Sequence, residues 1–153
     1  MPGQPQLICP IPGGTVLGTD MYELNVFDPS LNPSNLIIDV GSAFTVSATF
    51  RIGGTLAVFI QSLAQPFTVT YYYEGFGGAA DGALGNVAGT SASGVVSLTC
   101  AGALEYGAPS TNLVVPPATL LPGLYKLGAT VTFAAPFPLM GFVEGPIVRQ
   151  LAP

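Results

Sequence analysis

The sequence is poor in charge and contains neither histidine nor tryptophan. Lysine and arginine together number 3 and aspartate and glutamate 8 in 153 residues, so 7% of the chain is charged. An average soluble domain has about 25%. Without an imidazole, neither serine–histidine–aspartate nor cysteine–histidine catalysis can be assembled. So few ions favour a protein that covers much of its surface with copies of itself or with a partner.

The scarcity of positive charge excludes other classes of function. The cations are Arg51, Lys126 and Arg149, and the net charge is −5. Nucleic-acid binding needs clustered lysine and arginine, so it is excluded. No run of about 18 apolar residues occurs, and no transmembrane segment is expected. The first ten residues lack the pattern of a secretory signal, although the composition favours an extracellular or cell-surface assembly.

Cysteine is limited to Cys9 and Cys100. With no histidine and no C-x-x-C pair, neither a metal site nor a cofactor is predicted. We expect two buried thiols. A disulfide stays open as the alternative, because it would need an oxidising compartment and Cα atoms within about 7 Å of each other.

The acids are dispersed and form no recognisable catalytic motif. A glycosidase would need two carboxylates facing each other, and a calcium loop would need a D-x-D-x-D spacing, which is absent. The sequence therefore predicts a protein that is not an enzyme. The eight acids are Asp20, Glu23, Asp28, Asp39, Glu74, Asp81, Glu105 and Glu144.

Apolar and polar residues alternate along three segments, 43–52, 67–74 and 125–133. Strict alternation is typical of a strand with one face in the core and one in solvent. The sets predicted to face the core are Phe44, Val46, Ala48, Phe50 and Ile52; Phe67, Val69, Tyr71 and Tyr73; and Tyr125, Leu127, Ala129, Val131 and Phe133.

Weaker strand signals fill most of the remaining chain. Gly145-Pro146 interrupts the last of them, which predicts an edge or bulged strand because proline cannot donate to a ladder. The weaker strands are 22–27, 36–40, 95–101, 112–115 and 140–151.

Two segments depart from the strand pattern. Residues 55–63 carry Leu56, Phe59, Ile60 and Leu63 at helical spacing, which favours one or two helical turns, with a strand as the rival interpretation. Residues 75–94 are rich in glycine and alanine, and this composition indicates a long flexible or partner-ordered connection.

Residues 121–133 resemble the tyrosine corner of immunoglobulin-like and fibronectin type III-like sandwiches. A Pro122-Gly123 turn leads to Tyr125 and then to alternating apolar residues. The resemblance implies that the Tyr125 hydroxyl bonds back to nearby backbone and that 141–148 forms the last strand. Leu127 stands where antibody-type domains have their second cysteine, so an inter-sheet disulfide of that kind is excluded.

Taken together, the pattern predicts an all-β, immunoglobulin-like β-sandwich of about seven to nine strands, with one short helix near 55–63. One domain, 15–153, would follow an extended N-terminal arm, 1–14, in which prolines exclude a helix.

Two functions from different classes fit this sequence. The first is a non-catalytic structural subunit that assembles with copies of itself into a fibre, sheath or shell. Its arm would lie across a neighbour through Leu7, Ile8, Cys9 and Ile11. The second is a binding module for a glycan or a protein, with a contact face made of Thr68, Thr70 and Tyr72.

Overall fold

The computed structural model describes residues 15–34, 36–98 and 100–152, which fold into two facing β-sheets. In chain order the elements are β1 (Gly18–Phe27), β2 (Ile37–Asp39), β3 (Phe44–Gly53), α1 (Ala57–Ser62), β4 (Pro66–Gly75), β5 (Gly82–Thr90), a 3-10 turn (Ser91–Ser93), β6 (Val95–Val96), β7 (Leu104–Tyr106), β8 (Leu113–Val115), β9 (Gly123–Phe133) and β10 (Met140–Leu151).

The two sheets have five strands each. The first has the order β1-β3-β7-β6. Strand β8 also pairs with β3, at residues 44–46, whereas β7 pairs with residues 50–52 of the same strand. The second has the order β2-β10-β9-β4-β5, in which only β2 and β10 run parallel. This confirms the all-β sandwich. The described residues hold ten strands, above the predicted range, because four of them have only two or three residues.

The core lies between the sheets, and the inward sets predicted from alternation supply most of it. Its densest part is a cluster of four aromatic rings. The Phe50 ring centroid lies 5.1 Å from that of Phe67, 4.9 Å from Tyr106 and 5.9 Å from Phe133. Aromatic side chains bury more apolar surface than any others, so this cluster joins the two sheets.

The outer face of β3 is not exposed, which corrects the prediction of a half-buried strand. Thr45, Ser47 and Arg51 were expected to face solvent and are buried. The Ser47 hydroxyl lies 3.0 Å from that of Thr111, and the Arg51 guanidinium lies under the Tyr22 ring. Side chains from a loop and from β1 therefore cover a face that alternation alone assigns to water.

The glycine-rich segment 75–94 is mostly ordered structure, which corrects its assignment as a flexible connection. It contains β5, paired with β4, and the 3-10 turn. Glycine is depleted in strands, so composition indicated a loop. Here two glycines leave room for rings on β4: a Cβ at Gly89 would lie 2.5 Å from the Phe67 ring, and one at Gly82 would lie 2.6 Å from the Tyr73 hydroxyl.

Helix α1 confirms the helical alternative for residues 55–63, but its buried face differs from the expected one. Ala57 and Ile60 are buried, whereas Phe59 and Leu63 are exposed. Within the described ranges no helix is long and apolar enough to cross a membrane.

Two strand predictions near the chain's end and middle have different outcomes. The bulge predicted in β10 is confirmed, because its pairing with β9 shifts register between Glu144 and Ile147. The strand predicted over 95–101 is confirmed only for β6, and the described residues of this segment that follow Val96 are not part of a strand. Leu98 does not share a buried face with Cys100 but is almost fully exposed.

Candidate functional site

One end of the sandwich is built from connections that carry no charged side chain. It consists of segments 54–65, 91–98, 100–103 and 134–139, none of which contains an acid or a base. These segments are the connections that meet where β3 and β5 end and β4 begins. We refer to them together as the uncharged end.

Polar side chains within the uncharged end bond to its own backbone. The Gln65 side-chain amide donates to the carbonyls of Phe137, at 2.7 Å, and Ala134. The Gln61 amide donates to the carbonyl of Gly94 at 2.8 Å, which joins α1 to the segment before β6. The amides of Gln61 and Gln65 therefore bond to backbone within this end of the sandwich rather than extending its outer surface.

The outer surface of the uncharged end exposes large apolar side chains. Leu98 is 98% exposed and Val96, on the edge strand β6, is 72% exposed. The other large apolar side chains that these segments expose are Val58, Phe59, Leu63 and Val95. Extended apolar patches are unusual on a monomeric protein and mark interaction sites.

Acidic residues gather at the opposite end of the sandwich. Asp28 follows β1, Asp39 ends β2, and Glu74 and Asp81 lie where β4 turns into β5. Lys126 and Arg149, on β9 and β10, lie at this end too. Most of the charge thus lies towards one end of the sandwich, and the connections at the other end are neutral and apolar. The exception is the group Asp20, Arg51 and Glu105 in the first sheet, where Glu105 pairs with Val95 beside the uncharged end.

Several acids have structural partners. The Asp28 carboxylate accepts hydrogen bonds from the N–H groups of Ser30 and Asn32, and Asp81 accepts one from Gly75. In the part of the chain that the structure describes, no three acidic, cysteine or histidine side chains cluster closely enough to hold a metal ion.

A partly buried ion pair ties β1 to β3. Arg51 is 2% exposed, and its guanidinium lies 3.2 Å from the Asp20 carboxylate and 4.0 Å from the centre of the Tyr22 ring. The Tyr22 hydroxyl donates to Glu105 on β7. Burial and this carboxylate raise the pKa of Tyr22, since both disfavour the phenolate. These contacts join β1, β3 and β7 of the first sheet. The alternation of apolar and polar residues did not predict them.

Tyr71 performs the role that the resemblance assigned to Tyr125. Its hydroxyl accepts the N–H of Ala48 at 2.8 Å and donates to the carbonyl of Thr111. The Thr111 hydroxyl completes the junction by donating to the Ala48 carbonyl at 2.7 Å. Ala48 needs these partners because β8 and β7 pair with β3 only on either side of it.

The predicted tyrosine corner is not formed as expected. Pro122 and Gly123 do precede Tyr125, which is buried near the start of β9. Among the described residues, however, the Tyr125 hydroxyl has no hydrogen-bond partner. Its ring instead packs edge-on against Tyr73, 5.5 Å between centroids, beside a groove of about 610 Å³. The contact is between two side chains rather than between a hydroxyl and the backbone.

The predicted contact face lies on the outer side of the second sheet. Thr68 and Thr70 pair directly with Thr132 and Thr130 on β9, and Tyr72 pairs with Gly128. The structure therefore brings the three predicted residues together on one surface. This surface also includes Phe142 of β10, which is 67% exposed and pairs with Thr130.

The predicted assembly arm, with Leu7, Ile8, Cys9 and Ile11, lies outside the described residues. Cys100 is buried and held in a disulfide, which corrects the expectation of a buried thiol. The spacing of the cysteines in the sequence could not decide between free thiols and a disulfide, because the distance between the two sulfurs depends on the fold.

Comparison with known proteins supports the fold. No protein-family model and no curated protein matches the sequence. The C-terminal domain of Wzt is similar in structure, with a TM-score of 0.50 and 9% identity over 90% of this chain and 75% of that one. The CARDB domain of a Pyrococcus furiosus protein, solved in complex with di-metal ions, has a TM-score of 0.45 and 11% identity, over 88% of this chain and 87% of that one. At such identities the likeness concerns the fold alone, and the chain is an immunoglobulin-like β-sandwich.

Proposed function

We propose that the protein is a non-catalytic structural subunit that assembles with copies of itself, and that the uncharged end is a contact between copies. The observation that carries the proposal is the segregation of charge. Leu98 and Val96 are exposed at an end whose connecting segments contain no acid or base, whereas Asp28, Asp39 and Glu74 lie at the other.

Electrostatics favours a second copy meeting this end with its own uncharged end. Each copy has a net charge of −5, so contacts that bring acids together are repulsive. A head-to-tail contact would also bury carboxylates of the acidic end against apolar side chains, and burying an unpaired charge is costly. Joining two uncharged ends removes apolar surface from water and keeps the acidic ends apart.

Light scattering coupled to size exclusion tests the proposal on the full chain. The expected mass is at least twice the 15.6 kDa of one chain, and it should stay high as salt is raised because the contact is apolar. A mass of one chain at every concentration up to the millimolar range would contradict the proposal.

A second candidate function is a binding module for a glycan, favoured by the position of Tyr72. Its ring lies along the sheet over Gly128, and Phe142 is exposed on the same face. An exposed ring and a half-buried ring with neighbouring Thr70 and Thr130 hydroxyls suit the mixed apolar and polar surface of a sugar. A glycan array compares the protein with Tyr72→Ala: binding that this variant loses supports the module, and an array without hits counts against it.

A further inference from the structure

The edge strand β5 has less protection against pairing than the other sheet edges, because beyond its single bulge at Leu84 it is long and uncharged. It is nine residues long, ends the second sheet, and contains no charge and no proline. Edge strands in soluble proteins are usually short, charged, bulged or interrupted by proline, since their unpaired N–H and C=O groups are templates for another strand.

The remaining edges have such protection. On β1, Asp20 and Glu23 flank a bulge, and β6 has only two residues. The open part of β10 carries Glu144, Pro146 and a bulge. Long uncharged backbone is thus left open at one edge of the described sandwich, that of β5.

The regular part of this edge is 85–90. The pairing of β5 with β4 shifts register at Leu84, and from Gly85 onward it runs without interruption to Thr90. Between residues 85 and 89 the described backbone hydrogen bonds all go to β4. Asn86 and Ala88 are exposed there, and both are neutral and small enough for a neighbouring strand to approach.

We infer that β5 pairs antiparallel with β5 of a second copy, which rests on the proposed function and extends it from a dimer to a longer assembly. A two-fold axis at Ala88 places this residue opposite Ala88 of the second copy, so each uncharged strand faces an uncharged strand. Two molecules of net charge −5 can approach at this edge without opposing ions. Because β5 and the uncharged end are different surfaces, the two contacts together link copies into a row.

Opposite charges at Ala88 test whether the strand meets its own copy. We expect Ala88→Lys and Ala88→Glu each to reduce the assembly to a dimer or less, because like charges would face each other across the pair. Mixing the two variants should restore the wild-type mass in light scattering, since lysine then faces glutamate. Thr132→Lys, exposed on the same face but inside the sheet, is the matched control and should leave the mass unchanged. Circular dichroism checks that each variant is folded.

The outcomes separate this inference from the proposed function. Two single variants that keep the wild-type mass, or a mixture that fails to restore it, would overturn β5 pairing while self-assembly stands. A wild-type protein that remains a single chain at every concentration would overturn both. If Ala88→Lys does not fold, Ala88→Arg takes its place, alone and mixed with Ala88→Glu.

Discussion

The Tyr72 ring lies across Gly128, its direct partner on β9, so closely that a Cβ on residue 128 would fall 2.3 Å from the ring's Cζ. The same relationship joins Phe67 to Gly89 and Tyr73 to Gly82 on the β5 side of β4. A ring covering a glycine shields backbone that would otherwise be open to water. These pairs explain how a sheet so rich in glycine remains ordered.

We expect Gly128→Ala to lower the free energy of unfolding by about 1 kcal/mol, because the added methyl displaces the Tyr72 ring from a cross-strand pair. Urea denaturation measures this. Gly41→Ala is the control, since nothing lies within 4 Å of a Cβ there, and its effect should stay within about 0.5 kcal/mol. In a Tyr72→Ala background the Gly128→Ala cost should disappear; a cost that persists would show that the ring is not its cause.

Tyr71→Phe should destabilise the protein by about 1–3 kcal/mol, because it leaves the N–H of Ala48 and the carbonyl of Thr111 buried without their shared hydroxyl. Tyr73→Phe is the matched control on the same face of β4. Its hydroxyl bonds to no described residue, so a change of less than about 0.5 kcal/mol is expected. Equal losses in the two variants, by chemical denaturation, would contradict the role assigned to Tyr71.

Stability should fall in alkaline solution. Burial raises the pKa of Tyr71 from 10.0 to about 12, and burial also raises the pKa values of Tyr106 and Tyr22. Between pH 10 and 12 the native state therefore binds more protons than the unfolded state, so the free energy of unfolding decreases as pH rises. Tyr71→Phe should make this decrease shallower. An unchanged slope in the variant would show that Tyr71 titrates normally in the folded protein.

Reduction of the Cys100 disulfide should destabilise the domain by about 2–5 kcal/mol, the usual range for a bond that closes a long loop. Since the sequence has one other cysteine, Cys9, a peptide map without reduction should show these two positions linked within one chain. Thermal unfolding with and without a reductant measures the effect. A melting temperature that does not change on reduction would contradict a stabilising role.

Alternation was sufficient to predict the core and the fold class, but not what covers the strands. The inward residues of β3, β4 and β9 follow from period two, because each side chain's face is fixed by the pleat. Burial of Arg51 depends on Tyr22, from a bulge in β1, and no local pattern encodes that contact. The glycine-rich segment 82–90 forms strand β5 against aromatic rings of β4. Its own composition, which indicated a loop, was therefore misleading.

The candidate surfaces were predictable only in part. The residues Thr68, Thr70 and Tyr72 share a face because they alternate on one strand. The uncharged end joins segments far apart in sequence, so no single stretch indicates it. Low overall charge predicted that some surface is covered, and the surface proposed here, the uncharged end, is built from segments that come together only in the folded chain.

The most direct test of self-assembly through the uncharged end is light scattering on two leucine-to-lysine variants. Leu98→Lys places a charge on the uncharged end, and Leu121→Lys places the same charge on another well-exposed leucine, 70% exposed, near the acidic end. We predict that Leu98→Lys lowers the assembled mass to no more than two chains of 15.6 kDa, and that Leu121→Lys leaves it unchanged. Equal masses for both variants and the wild type would contradict the account.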